Sequence, residues 1–158
     1  MKVNNQQDNI KIALSIFEAI EHRGVDDRDA EILSRLFQPD VEFVWPPSLP
    51  YGGTFRGLDQ AQPSWAETWN PLQPGPAERR MDPRVIASND QNEVVVVYRQ
   101  RGVSPAGERI DTEVMALYEV RDGKLARAQM FHFEETATAA FLAIAAQQLK
   151  GESGMNVG

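Results

Sequence analysis

The sequence predicts an α+β fold in which helices pack on one face of an antiparallel sheet. Three observations support this fold class. Apolar residues recur at helical spacing in the N-terminal part of the chain, β-rich segments follow one another from about residue 79, and an alanine-rich segment with helical spacing comes after them. Helices followed by a run of hairpin-linked strands, rather than strict alternation of strand and helix, indicate antiparallel pairing.

Apolar residues at intervals of three and four predict four helices. The first covers Ile10–Glu21, with Asp8 placed to cap its N-terminus. The second begins at Asp29 and ends at Pro39, because proline lacks the backbone N–H that a helix interior needs. The other two helices are Asp59–Trp69 and Glu135 to about Leu149.

Stretches rich in β-branched and aromatic residues predict five strands. Two short glycine-containing segments, Gly102–Gly107 and Arg121–Gly123, are expected to join the last three strands as hairpins. The predicted strands are Asp40–Trp45, Arg79–Ala87, Glu93–Arg101, Glu108–Val120 and Lys124–Phe133.

The stretch Pro46–Gly53 is predicted to be a loop, because proline cannot donate to the hydrogen-bond ladder of a sheet. Two interpretations of this loop stay open. It is either a lid over a cavity, with Tyr51 as the residue that contacts a ligand, or an ordinary surface connection.

Length and composition predict one globular domain over residues 1–150, followed by a flexible tail over residues 151–158. A net charge of −7 argues against partners such as nucleic acid or an anionic membrane surface. The absence of cysteine excludes disulfides and thiolate chemistry, and it favours a cytoplasmic location. The polar N-terminus lacks the apolar core of a signal peptide, and no apolar run is long enough to span a membrane.

No sequence motif typical of a metal, cofactor or serine-nucleophile site occurs in the chain, so we expect no metal and no cofactor. The main cluster of carboxylates has a simpler interpretation. Asp111 and Glu113 share one face of a predicted strand, and Arg99 or Arg101 can face them across the hairpin. We therefore predict cross-strand ion pairs at this place.

The run Val94–Val97 is apolar on both faces of its predicted strand. Such a strand is typical of a sheet that is covered on one side by helices and on the other by a second subunit. We therefore expect a homodimer that packs sheet to sheet.

Four segments, in their order and spacing, resemble the SnoaL-like group of the nuclear transport factor 2-like superfamily. They are Gly24–Asp26 after the first helix, Leu36–Phe43, Thr54–Asp59 before the third helix, and Tyr118–Leu125 before the last strand. The resemblance covers most of the chain. It implies a cone-shaped, cystatin-like roll, with helices on the concave face of a curved antiparallel sheet around an apolar pocket. The superfamily includes isomerases, epoxide hydrolases, polyketide cyclases, dehydratases and non-catalytic binding proteins, so the fold does not give the function.

Two catalytic patterns of the superfamily are incomplete in this chain. The ketosteroid isomerase pattern needs polar groups at positions that match Trp45, Phe17 and a residue near Ala116, all of which are apolar. One aspartate of the limonene epoxide hydrolase pattern falls on Met130, and the stretch that matches its other members, around Val97–Gln100, contains no acid. We expect neither mechanism.

His132, near the end of the last predicted strand, matches the acid/base position of SnoaL-like cyclases, where the family more often has an aspartate. An imidazole whose pKa lies near working pH could take a proton from an activated carbon or give one to a forming alkoxide. The other interpretation is structural, with His132 donating one hydrogen bond to a backbone carbonyl and closing the core. Both interpretations stay open.

The resemblance implies that the pocket is lined by the first helix, the first strand and the last strands. The expected wall residues are Phe17, Trp45, Met115 and Met130, and the residues expected to orient a polar oxygen are Tyr51 and Tyr98.

The sequence and the resemblance favour a protein that binds a small, largely apolar carbonyl or ring compound. His132 would supply acid/base chemistry for an isomerisation, a cyclisation or a dehydration. The alternative is a non-catalytic ligand-binding or protein-assembly module, because the catalytic patterns are incomplete. Trp65 and Trp69, four residues apart on the predicted third helix, are interpreted as core packing.

Overall fold

The computed structural model describes residues 6–21, 28–62, 72, 75 and 77–155. A further short helical stretch covers residues 58–62. The helices and strands, in chain order, are α1 (Gln6–Glu21), α2 (Arg28–Leu36), β1 (Phe37–Trp45), β2 (Gly53–Arg56), β3 (Arg84–Ser88), β4 (Glu93–Val103), β5 (Arg109–Arg121), β6 (Lys124–His132) and α3 (Glu135–Met155).

The strands form one six-stranded sheet in the order β2-β1-β6-β5-β4-β3. Helices pack on this sheet, which confirms the predicted α+β fold class. One pair departs from the antiparallel expectation: β1 runs parallel to β6, with Phe43 opposite Ala128. The sheet is therefore mixed, and about half of the chain, rather than a hairpin, connects β1 to β6.

Two predicted boundaries near the first strand are wrong. Helix α2 ends at Leu36, and Pro39 lies inside β1 instead of ending the helix. This part of β1 tolerates proline because its pairing with β6 is interrupted between Phe37 and Glu42. The segment predicted as a lead-in to the third helix contains β2, which pairs with β1 through Phe55 opposite Phe43.

Two other boundaries also differ, and one predicted helix cannot be compared. The strand predicted from Arg79 begins at Arg84, and the last helix continues past Leu149 to Met155. The third predicted helix begins within residues 58–62, but most of it, together with Trp65 and Trp69, lies outside the described residues.

Helix α1 is held against the sheet by aromatic packing. The Phe17 ring stacks on Tyr118 with 5.7 Å between ring centroids and tilts against Tyr98 at 5.1 Å. The side chains of β4 on this interior face, such as Val94 and Val96, are fully buried. Burial of this apolar surface is the main favourable term that joins helix and sheet.

The C-terminus of α1 also fixes the segment that precedes β3. The Glu21 carboxylate accepts hydrogen bonds from the backbone N–H groups of Arg80 (2.8 Å), Met81 (2.6 Å) and Asp82 (2.9 Å). The Arg99 N–H of β4 donates to the Met81 carbonyl at 2.6 Å. This segment is therefore held between α1 and β4, although it belongs to neither a helix nor a strand.

The loop after β1 folds back on itself. The Leu49 N–H donates to the Pro46 carbonyl at 3.1 Å, and the Gly52 N–H donates to the Leu49 carbonyl at 2.8 Å. These bonds turn Tyr51 inward, where its side chain is only 1% exposed. The Ser48 hydroxyl donates to Glu135 at the start of α3, which ties the loop to that helix. Tyr51 is thus buried beneath the loop, and its predicted contact with a ligand stays a prediction.

The tight loop requires glycine at position 52, and we predict that Gly52→Ala destabilises the fold. An added Cβ would lie 2.1 Å from the Pro46 carbonyl oxygen and 2.8 Å from that of Leu49, so the loop backbone must shift. The expected loss is about 1–3 kcal/mol in the free energy of unfolding, measured by chemical denaturation. The control is Gly151→Ala in α3, where a Cβ meets nothing within 4 Å and alanine should stabilise the helix slightly. Equal effects of the two substitutions would contradict the prediction.

Candidate functional site

A cavity of about 70 Å³ lies between α1, α2 and the interior face of the sheet. Its walls are largely aromatic. The aromatic lining residues are Phe17, Phe37, Phe43, Trp45, Tyr98 and Tyr118. A concave, mainly apolar space of this kind is the usual form of a small-molecule site.

The aromatic walls are rigid because the rings support one another. Phe43 and Trp45 stack at 5.6 Å with an angle of 14° between their planes. Behind them, Tyr51 meets the Trp45 ring edge-on at 6.0 Å. Burial raises the pKa of both the Tyr98 and the Tyr118 hydroxyl, so these groups stay neutral near pH 7.

The strongly polar side chains of the described lining lie together where β4 passes the segment held by Glu21. We define the polar corner of the cavity as Arg80, Gln100 and Arg101. The described residues that line the cavity include no carboxylate. The cavity therefore combines apolar walls with positive charge in one corner.

Each residue of the polar corner has a fixed support. The Gln100 amide nitrogen donates to the Tyr51 hydroxyl oxygen at 3.1 Å, while its amide oxygen is buried without a hydrogen-bond partner among the described residues. Arg101 Nη1 donates to the Arg79 carbonyl at 2.6 Å and to Asp82 at 3.2 Å. Burial lowers the pKa of the Arg80 guanidinium, and the nearby Glu21 charge opposes this effect. The corner thus presents the Gln100 amide oxygen and the Arg80 guanidinium to the cavity, while Arg101 is paired with Asp82 and Asp111.

His132 lies beside the cavity rather than in its lining. It follows Met130 on the interior face of β6 and faces Val114 of β5. It lines a second, shallower pocket together with Pro46, Pro47 and Glu135. Trp45 and Met130 line both pockets, so they form the wall between them.

The His132 ring has an unusual environment. Both ring nitrogens are buried, and neither has a hydrogen-bond partner among the described residues. The backbone-carbonyl bond expected for a purely structural histidine is therefore not observed there. Burial lowers the pKa of His132 from its usual 6.5 to about 4, against the opposing effect of the Glu135 charge. The imidazole is thus neutral at pH 7, which differs from the sequence-based expectation of a pKa near working pH.

The structure brings four of the six predicted ligand-binding residues to the cavity. Phe17, Trp45, Tyr98 and Met130 line it. Tyr51 lies behind the wall, where it supports Trp45 and Gln100.

Met115 does not line the cavity, which corrects the sequence-based expectation. In β5 the residues that alternate with it, Ala116 and Val114, are fully buried on the interior face, so Met115 points to the opposite face. Its register neighbours there are Val97 and Phe131.

Several lining residues were missed by the sequence-based reasoning. Phe43 could have been found, because it lies two residues from Trp45 on the same strand. Tyr118 could not be found from the residue predicted on its own strand, because Met115 lies three residues away and points to the opposite face. Arg80 carries no such signal, since the segment that holds it has no regular periodicity and depends on Glu21 for its position.

The predicted cross-strand ion pairs are confirmed. Arg99 Nε lies 2.9 Å from Asp111, Arg99 Nη1 lies 3.4 Å from Glu113, and Arg101 Nε lies 3.5 Å from Asp111. Within the described part of the chain, no group of three or more histidine, aspartate or glutamate side chains could hold a metal ion. No described helix is both long and apolar enough to cross a membrane.

The buried His132 makes the stability of the fold depend on pH. A histidine of the unfolded chain titrates near 6.5 and His132 of the folded chain near 4, so the unfolded state binds this proton first as the pH falls. We predict that this group alone lowers the free energy of unfolding between pH 6.5 and pH 4, by no more than about 3 kcal/mol. In His132→Gln that part of the pH dependence should disappear.

Two measurements check this prediction. Chemical denaturation at a series of pH values compares the wild type with His132→Gln. Titration of the imidazole resonances by NMR is simple because the chain has only two histidines, and the variant assigns them. A midpoint near 6.5 for His132 would contradict the buried, unpartnered environment.

The chain matches the family model of the SnoaL-like domain over residues 18–128. Among curated proteins it is similar to Uncharacterized protein Rv0034 of Mycobacterium tuberculosis (strain ATCC 25618 / H37Rv). The two are 31% identical over 117 residues, which cover 73% of this chain and 85% of that protein.

Solved structures show the same fold. TerC, co-crystallised with polyporic acid, superposes with a TM-score of 0.68 and is 24% identical, covering 86% of this chain and 98% of that one. A nuclear transport factor 2-like protein of Burkholderia pseudomallei K96243 superposes with a TM-score of 0.68 at 21% identity, covering 85% and 97% of the two chains. The solved structures share the helix-backed sheet, and the family match over residues 18–128 shows that this chain belongs to the SnoaL-like domain family.

Proposed function

We propose that the protein binds a small, flat and mainly apolar ring compound in the cavity between α1, α2 and the sheet. The single observation that supports this most strongly is the aromatic lining, in which Phe43 and Trp45 stack on each other and Phe17 packs on Tyr98. Rigid aromatic walls favour flat ligands, because ring faces can contact them without loss of side-chain freedom.

The walls alone would suit many apolar compounds, and the polar corner restricts the choice. Gln100 presents a buried amide oxygen that has no hydrogen-bond partner among the described residues. A buried acceptor without a partner costs about 1–3 kcal/mol, and a ligand donor would recover part of this. A ring compound with oxygen substituents therefore fits better than a pure hydrocarbon.

Binding in this cavity should be lost when the cavity is filled. Ala128 lies in the lining and is 1% exposed, so Ala128→Leu places a larger side chain between the aromatic walls. The matched control is Ala140→Leu, the same substitution at an exposed position of α3.

A thermal-shift screen measures this prediction. Its panel contains 2-naphthol, anthraquinone, an aliphatic ketone, and polyporic acid, the compound with which TerC was co-crystallised. A ligand at about 100 times its Kd adds about 2.7 kcal/mol, or roughly 5–10 °C in Tm. We expect flat ring compounds to stabilise the wild type and Ala140→Leu but not Ala128→Leu. If none of the ring compounds stabilises the wild type, the proposal is wrong and a protein-assembly role gains support.

A second candidate function is supported by His132. A buried imidazole with two unpartnered nitrogens destabilises the fold, and such groups occur often at sites of proton transfer. His132 is separated from the cavity by Trp45 and Met130, so it could act on a ligand that reaches past this wall. The reaction would be an isomerisation, an aldol-type cyclisation or a dehydration, with the neutral imidazole as the base.

This second candidate function predicts that substitution of His132 reduces turnover but leaves ligand binding nearly unchanged. For a ring ketone that stabilises the wild type, His132→Gln should retain binding within about threefold and lose about 10²- to 10⁴-fold in kcat. Because the pKa of His132 is lowered to about 4, the wild-type rate should persist to about pH 5 and fall below it as the base is protonated. Unchanged turnover in His132→Gln, or an acid limb near pH 6.5, would exclude His132 as the base.

We also propose that two copies of the chain pack through the outer face of the sheet. This face carries a half-buried apolar patch, which lies next to the ion pairs between Arg99 and its two carboxylates. An apolar centre with a polar rim is typical of a subunit interface. The patch residues, aligned across β4, β5 and β6, are Val95, Val97, Met115, Leu117 and Phe131.

The oligomeric state tests this proposal. Light scattering should give twice the mass of the 17.7 kDa chain for the wild type. Val97→Lys, in the centre of the patch, should give a monomer, because a charge buried in the interface costs several kcal/mol. Leu149→Lys on α3, which is 40% exposed in the single chain, is the control and should remain dimeric. A wild-type monomer at micromolar concentration would overturn the proposal.

A further inference from the structure

The polar corner of the cavity, formed by Arg80, Gln100 and Arg101, carries positive charge. The carboxylates nearest to it support the corner from behind and are not part of the described lining. Glu21 is occupied by three backbone N–H groups, and Arg101 is paired with Asp82 at 3.2 Å and with Asp111 at 3.5 Å. The Arg101 charge is therefore already paired, and a molecule bound in this corner contacts the Arg80 guanidinium and the Gln100 amide.

We infer that the ligand is an acidic ring compound whose anionic oxygen, a carboxylate or an acidic ring hydroxyl, binds beside Arg80, with a hydrogen-bond donor of the ligand directed to the Gln100 amide oxygen. This inference rests on the proposed ligand-binding function and specifies the class of ligand.

The charge of Arg80 favours an anionic ligand. The Arg80 side chain is half-buried against the apolar walls, where its charge is stabilised less well than in water. Burial accordingly lowers the pKa of the Arg80 guanidinium, and the Glu21 charge opposes this effect. An anion bound in the cavity would offset this cost, and charge-assisted hydrogen bonds from guanidinium to a carboxylate are among the strongest in proteins.

The backbone at Arg80 is held in place by hydrogen bonds. Its backbone N–H donates to Glu21 at 2.8 Å, and the next residue, Met81, is bonded both to Glu21 at 2.6 Å and to β4 at 2.6 Å. The corner is therefore prearranged before any ligand binds, which lowers the entropic cost of binding.

The orientation of the Gln100 amide favours a ligand that donates a hydrogen bond. Its amide nitrogen is occupied by the Tyr51 hydroxyl at 3.1 Å, so the oxygen is the end that remains available in the buried corner. An oxygen can only accept, so it favours a ligand group that donates, such as a hydroxyl next to the anionic oxygen. Tyr51 acts here as a positioning residue, since it selects which end of the amide a ligand meets.

Three matched probes separate these features by titration calorimetry. The probes are 3-hydroxy-2-naphthoic acid, its methyl ester, which lacks the charge, and 2-naphthoic acid, which lacks the hydroxyl. We expect the wild type to bind the hydroxy acid at least about tenfold more tightly than the ester, which corresponds to one charge-assisted hydrogen bond. We expect a smaller preference, about threefold to tenfold, for the hydroxy acid over 2-naphthoic acid.

Variants assign each preference to a residue. Arg80→Gln should abolish the preference for acid over ester, and Arg80→Lys, which keeps the charge, should retain part of it. Gln100→Leu should abolish the advantage of the hydroxyl and leave the preference for acid intact. The control is Arg84→Gln, because Arg84 is exposed, outside the cavity, and bonded to Glu113 at 3.4 Å. Each variant is first compared with the wild type by circular dichroism and Tm without ligand.

The outcomes distinguish this inference from the proposed function. If acid and ester bind the wild type equally and Ala128→Leu abolishes both, the cavity is the binding site but the inference about an anionic ligand is wrong. The inference is also overturned if folded Arg80→Gln and Arg80→Lys both keep the full preference for the acid. If none of the three probes binds the wild type, both the inference and the proposed function are contradicted.

Discussion

The parallel pairing of β1 with β6 is the constraint on which the cavity depends. It places Phe43 opposite Ala128 and brings Trp45 and Met130 into one wall. Without it, β1 and β2 would not join the antiparallel ribbon of β3 to β6, and the aromatic side of the cavity would be missing. Closing a connection of about half of the chain into one parallel pair costs conformational entropy, which packing such as the stack of Phe43 on Trp45 helps to offset.

The cavity makes the fold less stable than a fully packed core would be. A fully packed core would fill the space between Phe17 and the sheet and would contain no unpartnered acceptor such as the Gln100 amide oxygen. The structure instead holds this acceptor in place through Tyr51 and holds the neighbouring backbone through Glu21. Costs of this kind persist where a site needs fixed polar groups in an apolar surrounding.

His132 shows why one residue can have two interpretations until its neighbours are known. On the strand it alternates with Met130 and Ala128, which correctly indicates the interior face. Its protonation, however, depends on the loop after β1 and on the start of α3, which bury the ring and bring Glu135 near it. A histidine with an ordinary pKa and one with a pKa of about 4 therefore have the same local sequence signal.

By itself the sequence determined the fold class, the strands from β4 to β6 and the ion pairs of Arg99, because helical and strand periodicity are local properties. Four of the six residues predicted to bind a ligand lie in the cavity lining, and their role in binding stays a prediction. Only the tertiary structure decided the rest. The β1–β6 pairing, the strand β2, the outward face of Met115 and the position of Arg80 depend on contacts between residues far apart in the chain. Local patterns carry no information on such contacts, since they are set by which surfaces bury one another when the whole chain packs.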